Sequence, residues 1–139
     1  MRAASYKALG PARLVLAVGE IETPAPQAGE VLVRLAASGV NPSDVKKRAG
    51  WLGGSLEYDL TVPHSDGAGI IEAVGDGVPS TRVGERVWIF NGQWNRAFGT
   101  AAEYIALPSG QAVSLPDAVD FAAGACLGIP ACTAHYALF

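Results

Sequence analysis

The possible metal ligands are His64, Asp66, Cys126, Cys132 and His135. A structural zinc site takes four such groups, usually as closely spaced Cys or His pairs. Cys132 and His135 stand three apart and could share a helix face, but no second pair accompanies them. No metal site is expected. His64 reads as an exposed loop residue and His135 as a helix-face residue, with the two cysteines as small buried apolar groups of a reducing compartment. Gly67-Ala68-Gly69-Ile70-Ile71-Glu72 begins like a dinucleotide fingerprint. It lacks the third glycine, follows Pro63-His64 instead of a strand, and runs into β-type residues instead of a helix. Its glycines are expected to bend a strand and admit a neighbouring backbone. No Gly-x-Ser-x-Gly elbow is present, and the 13 acidic residues form no paired cluster, so neither triad hydrolysis nor glycoside cleavage is indicated.

The elements that must hold these residues are short. Arg2 to Lys7 and Arg13 to Val18 read as strands split by Gly10-Pro11, and Thr23 to Gly29 as a loop stiffened by two prolines. Glu30 to Ala36 is the best strand, with a Val31/Val33/Leu35 stripe. Asn41 then suits an N-cap, Pro42 the first helical position, and Asp44 the acidic arm of a capping box. Lys46, Lys47 and Arg48 fall in the last turn, where the helix dipole favours cations, and Gly50 offers a left-handed exit. Gly67 to Val74, Glu85 to Phe90 and Thr100 to Leu107 read as further strands. Asp120 caps a predicted helix over Phe121 to Leu127 with Gly128 as its stop, and Pro130 opens a last helix to Phe139. Strands first and helices last predict an α+β, mainly β fold with a barrel-like sheet.

Composition narrows the classes. The 139 residues suit one domain (1–139), with half the residues hydrophobic and a net charge of −3. The only basic run, Lys46-Lys47-Arg48, is too short for a nucleic-acid footprint, so no nucleic-acid partner is expected. No apolar run approaches a membrane span and the first residues lack a secretory pattern, which predicts a cytoplasmic setting without a membrane partner. The last predicted helix stops on Leu138-Phe139 without a cap or polar tail. Either that helix packs on its own barrel, or the sequence is cut before another domain, which is the preferred reading.

One resemblance is specific. Ala37-Ser38-Gly39-Val40-Asn41-Pro42-Ser43-Asp44 is similar to the Gly-Val-Asn-Pro-x-Asp segment of zeta-crystallin-like quinone oxidoreductases, in the medium-chain dehydrogenase/reductase superfamily. The likeness continues through Pro63 to Gly75, Val83 to Val87, Ala101 to Tyr104 and Gly128 to Ala134. It implies a GroES-like catalytic domain, a partly closed β-barrel with short helices, followed in the family by a nucleotide-binding domain that this chain lacks. It also implies hydride transfer from NADPH, bound mainly by that other domain, to a small-molecule quinone or enone, and leaves room for a homo-oligomer. Zinc-dependent members carry Cys where Asn41 stands and His where Ser65 stands, so the resemblance implies no zinc.

The resemblance further assigns Asn41 to the cleft floor near the nicotinamide, with Asp44 organising the same helix start; these two are the catalytic candidates. Cap and capping-box duties also account for both residues. Asn41, Lys46 and Thr133 are the cofactor-binding candidates. Lys46 stands where relatives often carry tyrosine; it would meet a phosphate, donate to a developing enolate oxygen, or remain a solvated helix-end charge. Two alternatives accompany this reading: an enoyl reductase of the same superfamily, and a stand-alone GroES-like binding or structural module without catalysis.

Overall fold

The computed structural model describes residues 1–51, 53 and 55–139. Strands β1 (Arg2–Ser5) and β2 (Ala17–Glu20) form an antiparallel hairpin around the one-turn helix α1 (Ala12–Val15). Five antiparallel strands follow: β3 (Glu30–Gly39), β4 (Asp66–Val74), β5 (Arg86–Ile89), β6 (Tyr104–Pro108) and β7 (Ala112–Ser114). Their order across the sheet is β6-β3-β4-β5-β7, with β3 and β4 at its heart. The sheet does not close on itself, and single bridges from Ala3 to Ala102 and from Tyr6 to Thr61 tie the hairpin to the rest. The fold is mainly β with short helices, as expected. No helix among the described residues is long and apolar enough to cross a membrane.

The alternation of the strands builds the core. Val31 and Val33 of β3, Ile71 of β4, Val87 and Ile89 of β5, and Ile105 and Leu107 of β6 are fully buried on one face. Burying a side chain of this size contributes about 1.5–3 kcal/mol. Close backbone approach sets the glycines of β4: a Cβ on Gly69 would lie 2.1 Å from the Arg34 carbonyl oxygen. Register shifts at Leu32/Val33 and at Leu35/Ala37 bend β3 as it nears Gly39, a common device beside binding sites.

Helix α2 (Pro42–Arg48) forms as its local signals dictate, with Asn41 at the N-cap and Gly50 leaving at φ +80°. Three expectations need correction. Arg13 to Val18 is not one strand: Leu14 and Val15 donate their N–H groups to the Pro11 carbonyl, closing α1, and β2 begins only at Ala17. The helix capped by Asp120 is shorter, α3 (Phe121–Gly124), with the Ala123 N–H donating to the Asp120 carboxylate at 2.7 Å. Neither Gly128 as a stop nor Pro130 as an opening holds, because both lie inside a π-helical turn, Leu127–Ala131, that leads into α4 (Cys132–Leu138).

That turn has a local cause. Pro130 has no N–H, and the Ile129 N–H is drawn away to the Asp66 carboxylate. Two successive amides are thus lost to the helical ladder, and the next, from Ala131, reaches back five residues to the Cys126 carbonyl. The cysteines are also unlike expectation: Cys126 and Cys132 are both exposed and free.

Candidate functional site

The end of β3, the start of α2, the start of β4 and the π turn converge on Asp66. This residue is fully buried at the head of β4. Its carboxylate accepts the Asn41 side-chain amide at 2.8 Å and the Ile129 N–H at 3.0 Å to each oxygen. The fit is close, since a Cβ on Gly128 would lie 2.3 Å from one carboxylate oxygen. Burial pushes the Asp66 carboxyl above its ordinary range, and the two donors pull it back.

Asn41 and Asp44 are brought together, both buried. The Asp44 carboxylate accepts the Asn41 backbone N–H at 2.7 Å, and the Asp44 N–H donates to the Asn41 carbonyl at 3.0 Å. The acidic arm of the capping box is therefore formed, while the amide nitrogen of the Asn41 side chain is spent on Asp66. Burial also raises Asp44, against the opposing pull of the Asn41 N–H, His64 and Lys47.

Behind the lock runs a second chain of polar groups. The Thr100 hydroxyl donates to the Asp66 carbonyl, so its oxygen is left as the acceptor for Ser38 Oγ at 2.9 Å. Ser38 in turn must accept from His64 Nδ1 at 2.9 Å, which places the neutral ring's proton on Nδ1. His64 is thus a half-buried, anchored residue with φ +78° and not an exposed loop residue; burial lowers its pKa, and Asp44 raises it in part.

In front of the lock lies a cleft of about 340 Å³. Asp44 and Ile129 line it from the lock, Trp51 and Trp94 from two loops, and Lys46 and Lys47 from α2. Both tryptophans are largely exposed, at 71% and 66%. The Lys46 ammonium stands 4.3 Å from the Trp51 ring centroid, and Lys47 donates to Gln93 Oε1 at 2.8 Å. Of the candidates, Asp44 and Lys46 line the cleft, whereas Asn41 does not line it and adjoins it only through Asp44. Thr133 is not brought to it; it lies on the exposed helix α4.

Sequence reasoning weighed Asp66 only as a metal ligand and passed over the two tryptophans as site residues. A charged residue heading the apolar, glycine-rich run Gly67 to Ile71 was the available signal for Asp66, because such a group is buried only when donors meet it. Nothing local marked Trp51 or Trp94. Among the described residues no three His, Cys, Asp or Glu side chains gather in a metal-holding group.

Comparison with known proteins agrees with this fold. The alcohol dehydrogenase GroES-like domain family matches residues 27–117. A quinone oxidoreductase of Rattus norvegicus is 38% identical over 139 residues, which cover all of this chain and 41% of that protein. The solved structure of a human synaptic vesicle membrane protein VAT-1 homolog-like protein superposes with a TM-score of 0.88 at 30% identity, over 100% of this chain and 43% of that one. The Escherichia coli quinone oxidoreductase, solved in complex with NADPH, gives a TM-score of 0.87 at 25% identity over 99% of this chain and 40% of that one. The chain spans about two fifths of the length of these relatives. With its match over residues 27–117 and the superposition of its fold on these relatives, the chain belongs to the alcohol dehydrogenase GroES-like domain family of the medium-chain dehydrogenase/reductase superfamily.

Proposed function

We propose that residues 1–139 form the catalytic-domain portion of an NADPH-dependent, zinc-free oxidoreductase that reduces a quinone or enone, acting beside a nucleotide-binding domain in a cytoplasmic setting. The observation that carries this reading is the cleft walled by Trp51 and Trp94 in front of the Asn41–Asp66 lock. Flat aromatic walls suit a flat, weakly polar acceptor and keep water from its reacting face.

The donor set supports the zinc-free reading. Where zinc-dependent relatives are expected to place thiolate and imidazole, this chain offers an amide whose nitrogen is already given to Asp66, and the Ser65 hydroxyl. The fit to NADPH is divided. The cleft could take a nicotinamide ring, whereas Gly67 to Glu72, which begins like a phosphate-binding fingerprint, lies within strand β4. NADPH, when bound, supplies the hydride. The chain's own residues then orient and enclose the acceptor. Trp51 and Trp94 flank it, Asn41 and Asp44 fix the start of α2 as positioning groups, and Lys46 offers an N–H donor to the oxygen that gains charge. Thr133 is assigned to the nicotinamide end by resemblance alone.

The test is NADPH oxidation by the protein made from its whole reading frame, with quinone acceptors, before and after dialysis against a chelator. Turnover that survives dialysis supports the reading. Turnover on simple alcohols that the chelator abolishes refutes it. Calorimetry with the 139-residue chain alone should show negligible NADPH binding, and micromolar affinity would refute the division of labour between domains.

A further inference from the structure

We propose that the cleft selects flat aromatic acceptors bearing an anionic substituent, with Lys46 as the specificity-determining cation; this rests on the reading of the cleft as an acceptor site. The wall facing an entering ring is not merely aromatic. Lys46 Nζ is held 4.3 Å from the Trp51 centroid, so the ammonium is fixed at the cleft by a ring that brings no opposing charge. Lys47 is likewise held by a neutral partner, the Gln93 side-chain oxygen, at 2.8 Å. Among the described residues neither lysine joins any of the four ion pairs, which use the N-terminus, Arg34, Arg82 and Arg86.

The one carboxylate lining the cleft, Asp44, is 6% exposed and already accepts the Asn41 N–H. It is turned into the helix start more than into the cleft. Two ammonium groups held by neutral partners therefore face one largely hidden carboxylate, on a chain whose net charge is −3. A local field of this sign, in a partly enclosed aromatic site, is complementary to an anion attached to a flat ring. An uncharged ring would gain from the tryptophans alone. A sulfonate or carboxylate on its rim would add a charge-assisted hydrogen bond from Lys46, worth about tenfold in affinity.

The test uses the protein made from its whole reading frame and two ligands with the same ring: anthraquinone-2-sulfonate and uncharged 2-(hydroxymethyl)anthraquinone. Quenching of tryptophan fluorescence reports binding, because Trp51 and Trp94 line the cleft. The sulfonate is expected to bind about tenfold more tightly. Lys46→Gln should remove most of that preference, and Lys46→Arg should keep it. Equal affinity of the two ligands overturns the anionic preference and leaves the acceptor reading standing. A preference undiminished in Lys46→Gln overturns the role of Lys46. Failure of both ligands to bind overturns the proposal and the acceptor reading together.

Discussion

Asn41→Ala removes the amide that meets a fully buried carboxylate, and the structure sets the size of the loss. The Asp66 carboxylate has two donors, the Asn41 side-chain amide at 2.8 Å and the single Ile129 backbone N–H shared between its oxygens at 3.0 Å. Without Asn41 the oxygen at Oδ2 keeps only its share of that one N–H. A hydrogen bond to a charged group contributes about 1.5–3 kcal/mol, and a buried group left short of partners costs toward the upper end. The helix start loses little in addition, because Asp44 still accepts the backbone N–H of residue 41. The expected destabilisation is therefore about 2–3 kcal/mol.

Urea unfolding followed by tryptophan fluorescence measures it, in the wild type, Asn41→Ala, Asp66→Asn and the double variant. If the amide acts through the carboxylate, Asn41→Ala should cost at least about 1 kcal/mol less in the Asp66→Asn background. The pH dependence adds a signed check. Burial raises the folded-state pKa of Asp66, so its cost is present above that pKa and fades as the group takes up a proton. The Asn41→Ala deficit should narrow as pH falls through that range. A cost below about 0.5 kcal/mol, or strict additivity of the two substitutions, would refute the lock.

Gly128→Ala should destabilise by about 1–3 kcal/mol in the same assay, because its Cβ would lie 2.3 Å from an Asp66 carboxylate oxygen and 3.1 Å from the Ile89 carbonyl oxygen. Burial lowers His64 below its ordinary 6.5, so the unfolded chain takes up the proton first and stability falls as pH drops from about 6.5 toward the folded pKa. NMR titration of the ring should show that lowered value, and a value above 6.5 would contradict it. In the protein from the whole reading frame, Asn41→Ala should lower turnover of an uncharged quinone more than Lys46→Ala does; equal or reversed effects would move the main chemical role to Lys46. The 139-residue chain should associate at high concentration through α4, where Tyr136, Leu138 and Phe139 are 89%, 76% and 95% exposed. Light scattering that shows a monomer throughout would refute this.

What could be read from the sequence was what neighbours within one turn determine. Helix α2 carries its own cap, proline, last-turn cations and glycine exit, and it forms where these place it. The stripe of Val31 and Val33 is buried because alternation alone assigns a face. Beyond that range the reading failed for identifiable reasons. Val15 and Val18 look alike as strand formers, yet the Pro11 carbonyl collects two N–H groups and turns the first of them into a helix. Cys126 and Cys132 suggested burial by type, but their short C-terminal elements leave them exposed.

The site shows the same division more sharply. Pro130 was visible, but its effect depends on Ile129, whose N–H goes to an aspartate 63 residues earlier. The Asn41 amide likewise crosses 25 residues to the same carboxylate. No local pattern encodes either bond; what the sequence does show is an acidic residue at the head of an apolar strand. Such a residue must find donors or carry an unmet desolvation cost. Here the donors come from a helix start and a helical turn in distant parts of the chain, so satisfying one buried charge also fixes the relative positions of three segments. The cleft stands on those segments, with Asp44 on one side and Ile129 on another. Its shape is therefore tied to the protonation and partners of Asp66, a residue that does not itself line it.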